Sequence, residues 1–93
     1  MTPTPLPKLR LPDEVTAVIR HLHPQLKQKV RAALRTIQAD PQAGKALKDE
    51  LAGLRSFRVN RFRIIYRIGA DALEIITIGP RRTIYEETLR LLR

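Results

Sequence analysis

The sequence predicts an α+β domain: an N-terminal helical hairpin packed on a small antiparallel sheet of three to four strands, with a short C-terminal helix. Residues 12–39 carry apolar side chains at helical spacing, whereas residues 57–66 alternate at the period of a strand. This order of elements is typical of a sheet packed against a helix pair. Because 93 residues can bury only one modest core, we expect residues 1–93 to form a single domain.

The first half of the chain predicts a short edge strand and two helices. Residues 6–11 alternate leucine with basic residues, which favours a strand at the edge of the sheet. From Pro12 to His23 the apolar spacing is helical, and Pro24 opens a second helix that Asp40-Pro41 ends. We expect these helices to pack as a hairpin.

The second half predicts a connection and a β-hairpin. Residues 40–53 are expected to be irregular, with Leu47 and Leu51 held against the core. Alternating apolar residues on either side of Asn60-Arg61 predict two strands joined by a two-residue turn. That register places Arg58 opposite Arg63 on one face of the sheet.

A third strand and a final helix complete the prediction. Residues 73–78 are apolar on both faces, which predicts a central strand next to the hairpin, so that three consecutive strands form a meander. Gly79-Pro80 ends this strand. Thr83, followed by Glu86 three residues later, fits a capping box for the last helix.

The composition points to a polyanionic partner. Eighteen Lys and Arg against nine Asp and Glu give a formal charge of +9, which suits nucleic acid, an acidic protein or an anionic membrane surface. The absence of cysteine excludes disulfides, thiolate zinc sites and a cysteine nucleophile, and it suits a reducing cytosol. No apolar stretch is long enough for a signal peptide or a membrane span, so we expect a cytoplasmic protein without membrane contact.

The arginines of the hairpin have no stability reason to face each other. Like charges directly opposite each other in a sheet cost up to about 1 kcal/mol. A bound anion would interact favourably with both guanidinium groups and would give the pair a role. The Arg81-Arg82 corner and Tyr85 are expected to approach the Arg63 side of the hairpin, and guanidinium forks bind phosphate. The alternatives are a solvated arginine face and a tyrosine that only packs on the sheet.

Other sites are less well supported. His21 and His23 lie on different faces of a helix end, without a histidine pair or a carboxylate cluster for a metal. We therefore expect no metal, cofactor or small-molecule ligand. Lys27 and Arg31 begin a basic row on the second helix, which fits a solvated face, a phosphate contact or an acidic protein partner.

Several segments together resemble the RelE/ParE family of toxin–antitoxin toxins. They are Asp40-Pro41 through Gly44 and Leu47, Leu54-Arg55-Ser56-Phe57-Arg58-Val59, Phe62-Arg63-Ile64-Ile65-Tyr66-Arg67-Ile68, and Ile78-Gly79-Pro80-Arg81-Arg82-Thr83-Ile84-Tyr85-Glu86. The resemblance implies a microbial ribonuclease-like fold and neutralisation by a cognate antitoxin. RelE-like members cleave mRNA on the ribosome without a metal, by attack of the ribose 2′-hydroxyl on the adjacent phosphate. ParE-like members inhibit DNA gyrase instead.

The resemblance also implies site residues. Arg58 matches the first hairpin lysine of RelE-like nucleases, Arg63 the strand arginine, Arg81 or Arg82 the later arginine, and Tyr85 the tyrosine. The second hairpin lysine has no direct equivalent, since Asn60 or Arg61 stands there. The residues expected in catalysis are Arg58, Arg63, Arg82 and Tyr85; those expected to contact RNA or phosphate are Asn60, Arg61, Arg81, Lys48, Arg55, Lys27 and Arg31.

Tyr85 and the arginines favour the nuclease branch. The expected function is that of a ribosome-dependent mRNA endoribonuclease whose partners are the ribosome, mRNA and an antitoxin. Gyrase inhibition, and a silent relative that only binds an antitoxin, are the alternatives.

Overall fold

A five-stranded sheet lies between helices on both faces in the computed structural model, which describes residues 6–92. The elements in chain order are β1 (Lys8–Arg10), α1 (Asp13–Arg20), α2 (Pro24–Ala39), β2 (Lys45–Ala46), a 3-10 helix (Asp49–Leu51), β3 (Leu54–Val59), β4 (Phe62–Ile68), β5 (Ala72–Pro80) and α3 (Ile84–Leu91). The strand order is β1-β5-β4-β3-β2, and only the β1–β5 pair is parallel, so the sheet is mixed and not wholly antiparallel as predicted. The predicted α+β class, edge strand and three-strand meander are confirmed.

The sheet has one strand more than the three to four predicted. The additional strand is β2, whose two residues pair with Ser56 and Arg55 of β3. It falls in the segment predicted to be irregular, because two residues are too few to display a strand period.

The hairpin has the predicted register. Val59 pairs with Phe62, and Arg58 pairs with Arg63. Asn60 begins the turn with a φ of 55°, in the left-handed region that asparagine tolerates better than most residues. Since directly opposed residues of an antiparallel pair point to the same side, the predicted shared face of Arg58 and Arg63 is confirmed.

The helix pair covers one face of the sheet. The buried residues of this core are Val15, Ile19, Val30, Ala33, Leu34 and Ile37 from the helices, and Val59, Ile64, Tyr66, Leu73, Ile75 and Ile78 from the strands. The first helix ends at Arg20 rather than near His23. His23 instead caps α2, its Nδ1 accepting a hydrogen bond from the Gln25 N–H at 3.4 Å, while Pro24 occupies the first turn as predicted.

The opposite face is covered by α3, so the expectation of a sheet packed on a helix pair alone was incomplete. Ile84 is fully buried against Leu54 and Ile65. The predicted capping box is wrong: Thr83 precedes the helix, but its side chain makes no capping hydrogen bond. Packing of Ile84 on the sheet therefore holds this helix end without the box.

Tyr66 fastens the connection after α2 to the sheet. Its side chain is fully buried, and its hydroxyl donates to the Pro41 carbonyl at 2.7 Å and accepts from the Gly44 N–H at 2.9 Å. Arg55 donates to the carbonyls of Gly44 and Gln42 at 3.0 and 3.1 Å. These bonds fix the loop that leads into β2.

Candidate nucleic-acid interface

The paired hairpin arginines are held differently. Arg58 is exposed, and its Nε donates to the Asn60 carbonyl at 3.2 Å, which leaves both terminal nitrogens of its fork for a ligand. Arg63 is half-buried, and its Nη1 donates to the hydroxyl of Ser56, itself 2% exposed, at 3.2 Å. The Arg63 guanidinium is thus oriented by the sheet beneath it.

Arg63 also carries an unsatisfied donor. Its Nε is buried without a hydrogen-bond partner among the described residues. A buried donor left unpaired costs about 1–3 kcal/mol, so such groups are normally satisfied by water, an ion or a ligand. Helix α3 brings the Glu87 carboxylate near Gly79, which is the β5 partner of Arg63, but within residues 6–92 Arg63 forms no ion pair.

The hairpin turn is joined to the corner between β5 and α3. Phe62 pairs with Pro80, and the Arg81 N–H donates to the Arg61 carbonyl at 2.9 Å. A cleft of about 370 Å³ opens between the turn and the corner. It is lined by Arg58, Asn60, Arg61, Pro80, Arg81 and Arg82, and we call it the arginine cleft.

Positive charge dominates the arginine cleft. Four of its six lining residues are arginines, each exposed, and none is acidic. Guanidinium groups repel one another across such a cleft, while a phosphate can take two parallel hydrogen bonds from each fork. The cleft is therefore suited to a phosphodiester.

Tyr85 lies beside this site rather than in it. Its half-buried ring packs against the cluster of Leu54, Ile65 and Ile84, and it does not line the arginine cleft. The packing alternative considered for Tyr85 thus describes much of its ring. Arg58 and Arg82 line the cleft, whereas Arg63 and Tyr85 do not, so the structure divides the predicted catalytic set.

Four predicted phosphate contacts lie away from the cleft. Arg55 is half-buried on the sheet face opposite to Arg58 and is bound to loop carbonyls. Lys48 lines a separate cleft around the 3-10 helix. Lys27 and Arg31 line another cleft, between α1 and α2. The structure therefore does not bring these residues to the arginine cleft, because they lie on other faces of the domain.

Lys29 is a basic residue at the hairpin turn that the sequence analysis did not identify. Its Nζ lies 3.5 Å from the Asn60 Oδ1. The signal was its spacing: Lys29 follows Leu26 by three residues and precedes Ala33 by four, so it flanks the apolar stripe that faces the sheet.

Two further structural findings concern metal sites and membrane-spanning helices. Within residues 6–92, no three metal-ligating side chains come close enough together to hold an ion. No helix in the same range has the length and apolar character needed to cross a bilayer.

Comparison with known proteins identifies the family. The family described as the ParE toxin of the type II toxin–antitoxin system, parDE, matches residues 12–85. The chain belongs to this family. It is a toxin of a type II toxin–antitoxin system, and the predicted RelE/ParE relationship is confirmed. No curated protein sequence matches the toxin.

Solved toxin structures share the fold. The toxin–antitoxin complex RelBE2 of Mycobacterium tuberculosis aligns with a TM-score of 0.71 at 26% identity, covering 82% of this chain and 99% of that chain. A double mutant of Escherichia coli RelE in the free state gives 0.76 at 14% identity, covering 95% and 99%. The YoeB–YefM complex of Staphylococcus aureus gives 0.66 at 16% identity, covering 77% and 93%.

Proposed function

We propose that this toxin is a ribosome-dependent endoribonuclease that cleaves mRNA in the cytoplasm. The observation that carries the proposal is the arginine cleft, where Arg58, Arg61, Arg81 and Arg82 converge without an acidic neighbour in the lining. The RelE and YoeB relationships of the fold agree with it. A metal is not part of the proposed reaction.

The reaction is an internal transesterification. The ribose 2′-oxygen loses its proton and bonds to the adjacent phosphorus, while the bond from phosphorus to the 5′-oxygen of the next nucleotide breaks. The products are a 2′,3′-cyclic phosphate and a 5′-hydroxyl, which takes up a proton. Extra negative charge develops on the phosphoryl oxygens, and preorganised guanidinium donors stabilise it.

The position of each arginine determines its proposed role in this reaction. Arg58 and Arg82 are exposed in the cleft and would bind the phosphate through their forks. Arg63 adjoins Arg58 on the same face, and its unpartnered Nε would donate to a phosphoryl oxygen. Because Ser56 already orients the Arg63 guanidinium, little reorganisation would be needed when charge develops.

Tyr85 has two possible roles in this proposal. Its ring is supported by the apolar cluster beside the arginine face, so it can present a flat surface for a nucleobase to stack on. Its hydroxyl can also take the 2′-proton if the substrate brings that group within hydrogen-bond reach. The phenol-to-phenylalanine change separates the roles, since it removes the hydroxyl and keeps the ring.

An antitoxin and the ribosome are the proposed partners. Structures that share this fold were solved as complexes of toxin and antitoxin, including RelBE2 and YoeB–YefM. The formal charge of +9 suits an approach to ribosomal RNA.

The second candidate function is inhibition of DNA gyrase. Two observations favour it: the matching family is described as the ParE toxin, and Tyr85 does not line the arginine cleft. In this case the basic face would recognise a protein, and the unpaired arginines would not contact RNA.

A translating extract and a gyrase assay separate the two functions. Toxin added to the extract is expected to cut message within codons, detected as new primer-extension stops. Arg63→Ala combined with Tyr85→Phe is expected to lose this cutting, whereas Arg35→Gln, exposed on α2 and outside the cleft, is expected to retain it. Cutting by the double variant at the wild-type rate would refute the proposed roles of Arg63 and Tyr85. Loss of supercoiling without cutting would establish gyrase inhibition.

A further inference from the structure

A second cleft lies on the other side of the hairpin turn. It has a volume of about 410 Å³, within the range of about 300–1,000 Å³ typical of small-ligand sites. It lies between the start of α2 and the start of β4, and its lining includes His23, Leu26, Lys29, Asn60, Arg61 and Phe62. We call it the turn cleft.

The lining combines an apolar floor with a basic rim. Leu26 and Phe62 are half-buried and pack against the core of the helix-covered face. Lys29 and Arg61 are exposed and carry positive charge. An aromatic ring beside cations is the combination with which proteins hold single-stranded nucleic acid, the ring stacking a base and the cations binding phosphate.

His23 adds a directional hydrogen-bonding group. Its Nδ1 accepts from the Gln25 N–H, which leaves Nε2 as the ring nitrogen that can donate to a ligand. Asn60 contributes an amide at the same rim, with its Oδ1 near the Lys29 ammonium. These groups suit the hydrogen-bonding edge of a nucleobase.

The turn cleft adjoins the arginine cleft at the hairpin turn. Asn60 and Arg61 line both, one on each side of the turn. From these observations we infer that the turn cleft binds the nucleotide next to the scissile phosphate, with its base against Phe62 and its phosphate on Lys29. This inference rests on the proposed nuclease function, since a strand held in the arginine cleft would continue over the turn.

The adjacency of the two clefts and the chemistry of their lining residues favour RNA over an acidic peptide as the ligand. A peptide of carboxylates would use the lysine and the arginine but would leave the aromatic floor without a partner. A nucleotide uses both, and the strand need only cross the two-residue turn to reach from one cleft to the other.

The test is equilibrium binding of labelled hexaribonucleotides, followed by fluorescence anisotropy. The probes carry 2′-O-methyl groups, which block cleavage, and a matched series replaces each base in turn by an abasic ribose. Wild-type toxin is expected to lose about fivefold in affinity at one abasic position, the loss of a single stacked base. Phe62→Leu keeps apolar volume without the aromatic face, and it is expected to abolish the difference between intact and abasic probes.

Lys29→Gln provides a second binding test, with a variant that does not change the packing of the core. Lys29 is exposed on α2, so the variant is expected to fold, and it should bind every probe several-fold more weakly than the wild type. Arg35→Gln is the matched control, because it removes one charge from an exposed position of the same helix. Equal affinities of the Lys29 and Arg35 variants would overturn the inference. The inference would also be overturned if none of the abasic probes bound more weakly than the intact probe.

Two further outcomes are distinguishable. If a labelled hexaglutamate peptide binds the wild type as tightly as RNA and is weakened by Lys29→Gln, the turn cleft belongs to a protein partner and the inference is refuted. If Arg58→Gln weakens RNA binding while the Lys29 and Phe62 variants do not, the arginine cleft survives and only the turn cleft is refuted. If Arg58→Gln leaves the affinity for RNA unchanged, the proposed function is refuted instead.

Discussion

Replacing Arg58 by glutamine should change how RNA binding depends on salt. Arg58, Arg61, Arg81 and Arg82 line the arginine cleft and are exposed. Each cation that neutralises a phosphate of a single strand contributes about −0.7 to the slope of log affinity against log salt. If all four bind phosphate, they contribute about −2.8, and this component lowers affinity about 50-fold between about 50 and about 200 mM salt.

Arg58→Gln removes one of these contacts. The contribution of the cleft should become about −2.1, so the loss over the same salt range falls to about 18-fold. The assay is anisotropy of an uncleavable single-stranded RNA at five or more salt concentrations. Arg35→Gln changes the net charge equally from outside the cleft and is expected to keep the wild-type slope.

Arg58→Lys distinguishes charge from geometry. The ammonium keeps the positive charge but cannot form the two parallel bonds of a guanidinium. The salt slope should therefore stay near that of the wild type, and cleavage in a translating extract should persist, because the resemblance matches Arg58 to a lysine of RelE-like nucleases. A slope for Arg58→Gln that equals the wild-type slope would show that Arg58 only solvates the sheet, and the phosphate-binding role of the hairpin face would be wrong.

The remaining predictions concern groups that support the site. Gly44→Ala should destabilise the toxin by about 2–4 kcal/mol, because the new Cβ would lie 2.6 Å from the Tyr66 Oη; the midpoint of thermal unfolding should fall by about 10 °C or more. Gly53→Ala is the control: its φ is 92° in open space, so only the backbone cost of about 1–2 kcal/mol applies. Tyr66→Phe should cost about 1–3 kcal/mol in a denaturant titration, since the buried Gly44 N–H loses its acceptor, and an unchanged midpoint would contradict this role. Ser56→Ala should reduce cleavage without altering the RNA salt slope, because it removes the hydroxyl that orients Arg63 but no charge.

The hairpin could be predicted from the sequence because its information is local. Alternation fixes which residues face the core, and a two-residue turn fixes the partner of each residue, so the sequence alone predicts the observed pair of Arg58 and Arg63. The same parity places Arg55, three residues before Arg58, on the other face. The prediction that Arg55 contacts phosphate together with Arg58 was therefore at odds with the strand period itself.

The parts that were not predicted depend on contacts distant in sequence. Strand β2 has two residues and no pattern of its own, and the buried Tyr66 hydroxyl holds the loop that leads into it. The packing of α3 on the second face of the sheet does have an indication in the sequence. Residues 73–78 are apolar on both faces, and a strand of this kind needs packing on each side. The turn cleft brings His23 and Lys29 to Phe62 from the far half of the chain, which periodicity cannot reveal.

Strand β4 carries two arginines on one face with contrasting cross-strand neighbours. Arg67 pairs with Glu74 of β5 and forms an ion pair with it at 2.8 Å, whereas Arg63 pairs with Gly79 and keeps an unpartnered Nε. Glu74 neutralises the first arginine within the sheet. Gly79 itself offers the second no carboxylate, and its missing Cβ lets Ile84 and Glu87 of α3 approach the sheet closely, although Arg63 forms no ion pair within residues 6–92.

This contrast agrees with the proposed phosphate-binding role of the hairpin end of the sheet. A face selected only for stability would pair both arginines, because an unpaired buried donor and two opposed guanidinium groups each have a cost. Positive charge is instead left unpaired at the hairpin turn, where Arg58, Arg61, Arg81 and Arg82 also lie. A phosphate bound in the arginine cleft would relieve the repulsion among these guanidinium groups, so this end of the sheet is where the proposed RNA binding would bring the greatest gain.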